Sequence, residues 1–140
     1  MRKLMSFLLL SIVSSNLMAM KSVEVFVSFS MPEQLLSETL AESARLHIPA
    51  LLRGLVDNSM PKTVERIVSL SKKIPNLNLQ IDPTAFEKYG IQQVPALVVD
   101  NGQVFDVLYG NLALRDGLLK IAESGDSGFT AEDARSFIGE

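Results

Sequence analysis

Through "VEVFVSFS" the residues Val23, Val25, Val27 and Phe29 alternate with Glu24, Phe26, Ser28 and Ser30, which is the two-residue period of a strand. Phe26 makes the second face partly apolar as well, so this strand is expected at the centre of a sheet covered on both sides. The period then lengthens. From Pro32 to Leu46, Leu36, Leu40 and Ala44 recur every fourth residue, opposite Glu38 and Glu42, and predict an amphipathic helix. A second buried strand is expected over residues 48–56, "IPALLRGLV". A second helix is expected over residues 61–74, where Val64, Ile67, Val68 and Ile74 follow the start signal of Asn58 and Ser59. "NLNLQIDP" reads as a short strand with Leu77, Leu79 and Ile81 on one face, and residues 84–89 as a short helix. "PALVVDNGQVFDVLYG" places two apolar runs about Asn101-Gly102, a strong hairpin signal. The last main helix is expected from Asn111, with Leu114, Leu118, Ile121 and Ala122 on its face. Gly117 inside it costs about 1 kcal/mol relative to alanine. Residues 125–128, "GDSG", read as a hinge, and Thr130 with Asp133 as the capping box of a short C-terminal helix.

The order strand, helix, strand, helix, strand, short helix, hairpin, helix predicts an α/β fold. Right-handed crossovers make the first three strands parallel and the hairpin adds antiparallel strands at one side. The result is a central mixed sheet of about five strands flanked by helices.

Before this domain, Arg2 and Lys3 precede an apolar run from Leu4 to Val13, then Ser14, Ser15, Asn16 and Ala19. This is the layout of a secretory signal peptide cleaved after Ala19, with the apolar run short of the ~20 residues of a spanning helix. The expected organisation is a leader over residues 1–19, one domain over 20–124, and a hinge with a short amphipathic helix over 125–140. Without Arg2 and Lys3, 11 basic residues face 16 acidic ones and the net charge moves from −3 to −5. No basic stripe remains to favour a nucleic-acid partner, and contact with a membrane is expected only through the leader. The chain has no cysteine and one histidine, His47, which removes thiol chemistry and the usual metal sites. No cofactor is expected.

The turn "FSMPEQL" joins the first strand to the first helix. Ser30 and Glu33 fit a capping box S-x-x-E, with Pro32 in the first turn, where its missing N–H costs nothing. An activated serine would need a base within reach. His47 lies 17 residues on, mostly along helix, at roughly 25 Å for 1.5 Å per residue, so no Ser-His dyad is expected. Arg53 in "LLRGLV" either sits at the solvated end of its strand or forms a structural charge pair, with Asp82 or Glu24 as partner.

Residues 81–103, "IDPTAFEKYGIQQVPALVVDNGQ", resemble the thioredoxin superfamily where an acidic strand end, a short helix, a cis-proline and a terminal hairpin follow one another. The resemblance implies a cis bond at Val94-Pro95. It also aligns Ser30-Met31-Pro32-Glu33 with that superfamily's C-x-P-C-type turn, with the proline kept and both sulfurs replaced. A serine hydroxyl cannot replace a thiolate in disulfide exchange, so this is a degenerate redox turn. Met31, Pro32, Val94 and Pro95 are expected to form an apolar docking surface for a partner segment by β-addition.

The leader, "VFVSFSMP", "LLRGLV", the following helix with Thr63, and "IDPTAFEKYGIQQVPALVV" together resemble the TrbC family of F-type conjugative transfer systems, over about residues 23–122. That resemblance implies a non-enzymatic, thioredoxin-like pilus assembly protein of a type IV secretion system. It would act in the periplasm of a Gram-negative donor beside TraW-type assembly proteins. An alternative is a periplasmic glutathione- or peptide-binding protein unrelated to conjugation.

Overall fold

Val23, Val25 and Val27 face one side of the first strand and Phe26 the other, and all four are at most 5% exposed. The computed structural model describes residues 21–139; the expected leader lies outside them. Strand β1 (Ser22–Val27) is the middle of a five-stranded sheet with β2 (Ala50–Leu52), β3 (Leu79–Ile81), β4 (Ala96–Asp100) and β5 (Phe105–Tyr109), in the order β3-β2-β1-β4-β5. β1, β2 and β3 run parallel, while β4 is antiparallel to both β1 and β5. The α/β arrangement expected from the order of elements, a central mixed sheet of about five strands flanked by helices, is the one observed.

Among the described residues, five helices surround the sheet: α1 (Glu33–Arg45), α2 (Met60–Lys73), α3 (Pro83–Lys88), α4 (Leu114–Ser124) and α5 (Ala131–Ile138). The larger core packs Leu36 and Leu40 of α1, Leu70 of α2, Leu118 of α4 and Ala134 of α5 on the face of Val25 and Leu52. On the opposite face, Phe86 and Tyr89 meet Phe26 edge to face, at centroid separations of 4.8 and 5.9 Å. Such edge-to-face pairs add to the burial of the rings.

Several boundaries differ from expectation for identifiable reasons. β1 ends at Val27 because residues 28–31 close a turn, with the Met31 amide donating to Ser28 O at 3.1 Å. β2 ends at Leu52, and the chain passes into a single 3-10 turn, Val56–Asn58, whose first amide is taken by the Thr63 hydroxyl at 2.8 Å. The hairpin turns on Gly102-Gln103 rather than Asn101-Gly102. Asn101 N–H donates to Val104 O, Asn101 Oδ1 accepts from the Gln103 and Val104 amides, and Gly102 takes φ 91°, in the left-handed region that favours glycine.

α4 begins at Leu114, three residues after the expected Asn111, and its N-terminus is capped from another helix. The Glu42 carboxylate accepts from the Leu114 and Arg115 amides at 2.8 and 3.0 Å. Glu42 therefore belongs to a helix junction, not to the solvent face of α1. Residues 125–128 are held in place: Asp106 accepts from the Asp126 and Ser127 amides at 2.8 and 2.9 Å, and Asn101 Nδ2 donates to Ser127 O. Beyond them Phe129 is buried, Thr130 and Asp133 form a capping box, and Lys21 pairs with Asp133 at 2.6 Å, so α5 is folded back onto the domain.

Candidate functional site

The turn between β1 and α1 is built by serines and a thioether. Ser28 N–H donates to Met31 Sδ at 3.4 Å, the Ser28 and Ser30 hydroxyls are 2.8 Å apart, and Ser30 N–H donates to Ser28 Oγ. The expected Ser30–Glu33 capping box is absent. Pro32 is the N-cap of α1 and no side chain caps it, because Ser30 is engaged with Ser28 and Glu33 reaches to Arg66 of α2 at 3.0 Å. The Arg66 guanidinium in turn lies 4.4 Å over the Phe29 ring, a cation–π contact that fixes it beside the turn.

Val94-Pro95, directly before β4, is a cis peptide. Met31 and Pro95 are both buried, Val94 is half-buried and only Pro32 is exposed. Met31 packs in the main core with Leu36 and Val27, and Pro95 lines a crevice of about 10 Å³ against α4 with Leu108 and Leu114. The four residues expected to form an apolar docking surface are thus mostly packing residues. Their apolar character serves the core beneath the turn.

The open space at the turn lies on its other side. A cleft of about 490 Å³ is bounded by residues 28–30 on one wall, residues 52–57 on the other, and Arg66. Arg53 is here and exposed, just past the end of β2, as in the solvated-end reading, and the alternative charge pair with Asp82 is not formed. Its Nη2 donates to Ile91 O at 3.2 Å and its guanidinium lies 5.4 Å from the Phe86 ring centre. Asp82 is engaged locally instead: its Oδ1 accepts from the Ala85 amide and the Thr84 hydroxyl, and these bonds, the Thr84 hydroxyl first, lower its carboxyl pKa. Arg66 and Ser28 carry no sequence signal for this site. Only the packing of α2 beside the β1–α1 turn brings them in.

A second polar cluster sits at the far end of β4. Buried Asp100 accepts from Tyr89 Oη at 2.6 Å, from Lys88 Nζ at 2.9 Å and from the Gly102 amide at 2.8 Å. The Tyr89 and Lys88 bonds hold its carboxyl down to about 2. Glu24, across the sheet, is pushed the other way by burial and by the charges of Asp82 and Asp100. This cluster ties α3 to the hairpin. Among the described residues, no group of histidine and carboxylate side chains could hold a metal ion, and no helix is long and apolar enough to cross a membrane. Ser30 has a serine, not a base, as its hydrogen-bond partner, so the arrangement does not activate a nucleophile.

Two solved structures resemble the chain: MTB DsbF in mixed oxidised and reduced forms (18% identity, TM-score 0.48, 74% of this chain and 79% of that one) and StoA from Bacillus subtilis (13% identity, TM-score 0.47, 70% and 79%). The periplasmic protein TrbC of Escherichia coli (strain K12) is 46% identical over 108 residues, covering 77% of this chain and 51% of the relative. The chain therefore spans about half the length of the curated relative it matches. The model of the family described as type-F conjugative transfer system pilin assembly protein matches residues 25–121, from β1 through α4. The chain belongs to this family, the TrbC family of F-type conjugative transfer.

Proposed function

We propose that this chain is a non-enzymatic periplasmic assembly factor for the conjugative pilus of an F-type, type IV secretion system, acting through protein contacts. The observation that carries the non-enzymatic part is the chemistry of the β1–α1 turn. A thioredoxin-like fold performs thiol exchange at the N-terminus of this helix with an acidified sulfur. Here Ser30 and Glu33 stand in the turn, the chain has no cysteine, and the Ser30 hydroxyl bonds to Ser28 and the Glu33 carboxylate to Arg66. Family membership supports the assembly role, and the name of the Escherichia coli relative supports the periplasm.

The partners in this reading are the periplasmic assembly proteins of the transfer apparatus, a TraW-type protein first among them. The test is recovery of the tagged protein from the envelope of conjugating donors, with bound proteins identified by mass spectrometry. A TraW-type protein should co-purify. Recovery of general periplasmic chaperones alone counts against stable assembly contacts. In parallel the purified protein should be inactive in insulin reduction, and measurable turnover would overturn the non-enzymatic reading.

A further inference from the structure

Three features that the sequence leaves far apart, the Ser-Met-Pro turn, the Arg-Gly-Leu segment and Thr63, converge on the 490 Å³ cleft beside the turn. Ser28 and Ser30 form one rim, and Arg53 and Gly54 the other. Thr63, fully buried, pins the lip between them and α2: its hydroxyl accepts from Val56 N–H at 2.8 Å and donates to Ser59 O at 2.7 Å. That lip includes Asp57 and Asn58 in the left-handed region, at φ 47° and 53°, a conformation that Asp and Asn tolerate better than most residues. The cleft is preorganised by the fold, and its volume falls within the range of ligand sites.

Its charge is opposite in sign to that of the chain. Asp57 is paired with Lys62 at 3.1 Å and Arg66 with Glu33 at 3.0 Å, which leaves Arg53, among the described residues, as the unbalanced charge of a cleft in a chain of formal net charge −3. Of the five N–H donors of a guanidinium, Arg53 uses one, toward Ile91 O. Both arginines are oriented by aromatic rings, Phe86 and Phe29. Arginine forks held in this way match carboxylates. Glu33, whose side chain is 71% exposed, occupies the second of them as an internal carboxylate that can be displaced.

We propose that this cleft docks an acidic segment of a partner protein, with one carboxylate on Arg53 and a second replacing Glu33 on Arg66, and with the segment's backbone against Gly54 and the Ser28–Ser30 rim. The inference deepens the assembly reading by naming the surface and the chemistry of its partner, and it rests on that reading. Gly54 suits close approach of a backbone, because a Cβ built there meets no atom within 4 Å and would project into open space. The cleft residues differ from the apolar set at Met31 and Pro95, which is buried.

The experiment is a fluorescence-anisotropy titration of the full-length protein with a labelled Gly-Asp-Leu-Glu-Ala-Glu peptide, against a twin carrying Asn and Gln in place of the acids and a C-terminal amide. The acidic peptide should bind, more tightly at low than at physiological ionic strength, and the neutral twin should not. Arg53→Gln should weaken binding about tenfold or more, the loss of a charge-assisted hydrogen bond. Glu33→Gln should tighten it, because the internal competitor is gone. Gly54→Leu should abolish it with the thermal midpoint unchanged. Equal binding of the two peptides, or unchanged affinity in Arg53→Gln, overturns the proposal. So does displacement of the peptide by glutathione or inorganic phosphate at concentrations below the peptide's own Kd, which assigns the cleft to a small anion. Because the titration contains no transfer machinery, its failure removes the cleft reading while the assembly role is judged separately in donor cells.

Discussion

His47 follows the C-cap of α1 at φ 56°, with its amide donating to Ala44 O and that of Ile48 to Ser43 O. This is the two-bond ending in which glycine is favoured at the left-handed position. The side chain is exposed, so nothing is lost by removing it, and the left-handed conformation costs an L-residue about 1–2 kcal/mol. Part of that cost is offset because glycine loses more chain entropy on folding. His47→Gly is expected to raise unfolding stability by roughly 1 kcal/mol in urea titration; a loss of stability would show that the imidazole has a partner. At Asp100 the pH dependence has a definite sign. A carboxyl held below its ordinary 3.8, at about 2, contributes stability that is present above the ordinary value and lost as pH falls through the lowered one. The contribution is about 2 kcal/mol. Glu24 acts in the opposite sense, since its raised pKa gives stability at low pH that is lost as pH rises. The comparison must therefore be between variants: Asp100→Asn should be less stable than the parent at neutral pH, with the difference closing as pH falls from 3.8 to about 2. A difference constant over that window would contradict the account of Asp100.

Gly117 shows how an element can be read correctly and its residues misread. In the sequence it is a weak point in a helix, costing about 1 kcal/mol. In the fold it is a point of close approach between α4 and the β4–β5 hairpin, since a Cβ there would stand 2.8 Å from Leu97 Cδ2 and 3.3 Å from Leu108 Cδ2. Gly117→Val should lose about 2–3 kcal/mol by overpacking, measured by urea unfolding, and a neutral or stabilising result would mean that α4 can move away from the sheet. Helices α1 and α2 and the hairpin were legible because each carries a local period or turn residue: Leu36, Leu40 and Ala44 for α1, Val64, Ile67, Val68 and Ile74 for α2, although Val64 and Val68 are exposed and α2 packs through Thr63, Ile67 and Leu70. Strand ends were not. Val56 leaves the sheet because Thr63, seven residues on, takes its amide, and no local pattern records such a bond. Glu42 has the same lesson at a helix start, capping α4 from 72 residues away.

At the scale of the molecule, the mixed pairing followed from the order of elements, because right-handed crossovers make β1, β2 and β3 parallel and one hairpin adds antiparallel strands at one side. The candidate site was legible only in part. Ser30 and Val94-Pro95 could be singled out from their motifs, but the burial of Met31 and Pro95 and the contacts of Arg53 with Ile91 and Phe86 depend on how the two sheet faces are filled. Charge is distributed in the same way: an acidic chain with a basic cleft at one end of its sheet is a global property that composition averages out. The β1–α1 turn of Ser30, Met31, Pro32 and Glu33 is a structural junction beside a cleft that holds Arg53 and Arg66. The central proposal is that this domain serves pilus assembly without chemistry of its own. The most direct measurement is conjugative transfer frequency, with pilus counts by electron microscopy, in a donor whose gene for this protein is deleted and then restored with the parent or with Ser30→Ala. The account predicts loss of pili and transfer on deletion and full recovery with both forms, because the Ser30 hydroxyl does no chemistry. Recovery with the parent alone, from a Ser30→Ala protein that is folded and present at the same level, would contradict it.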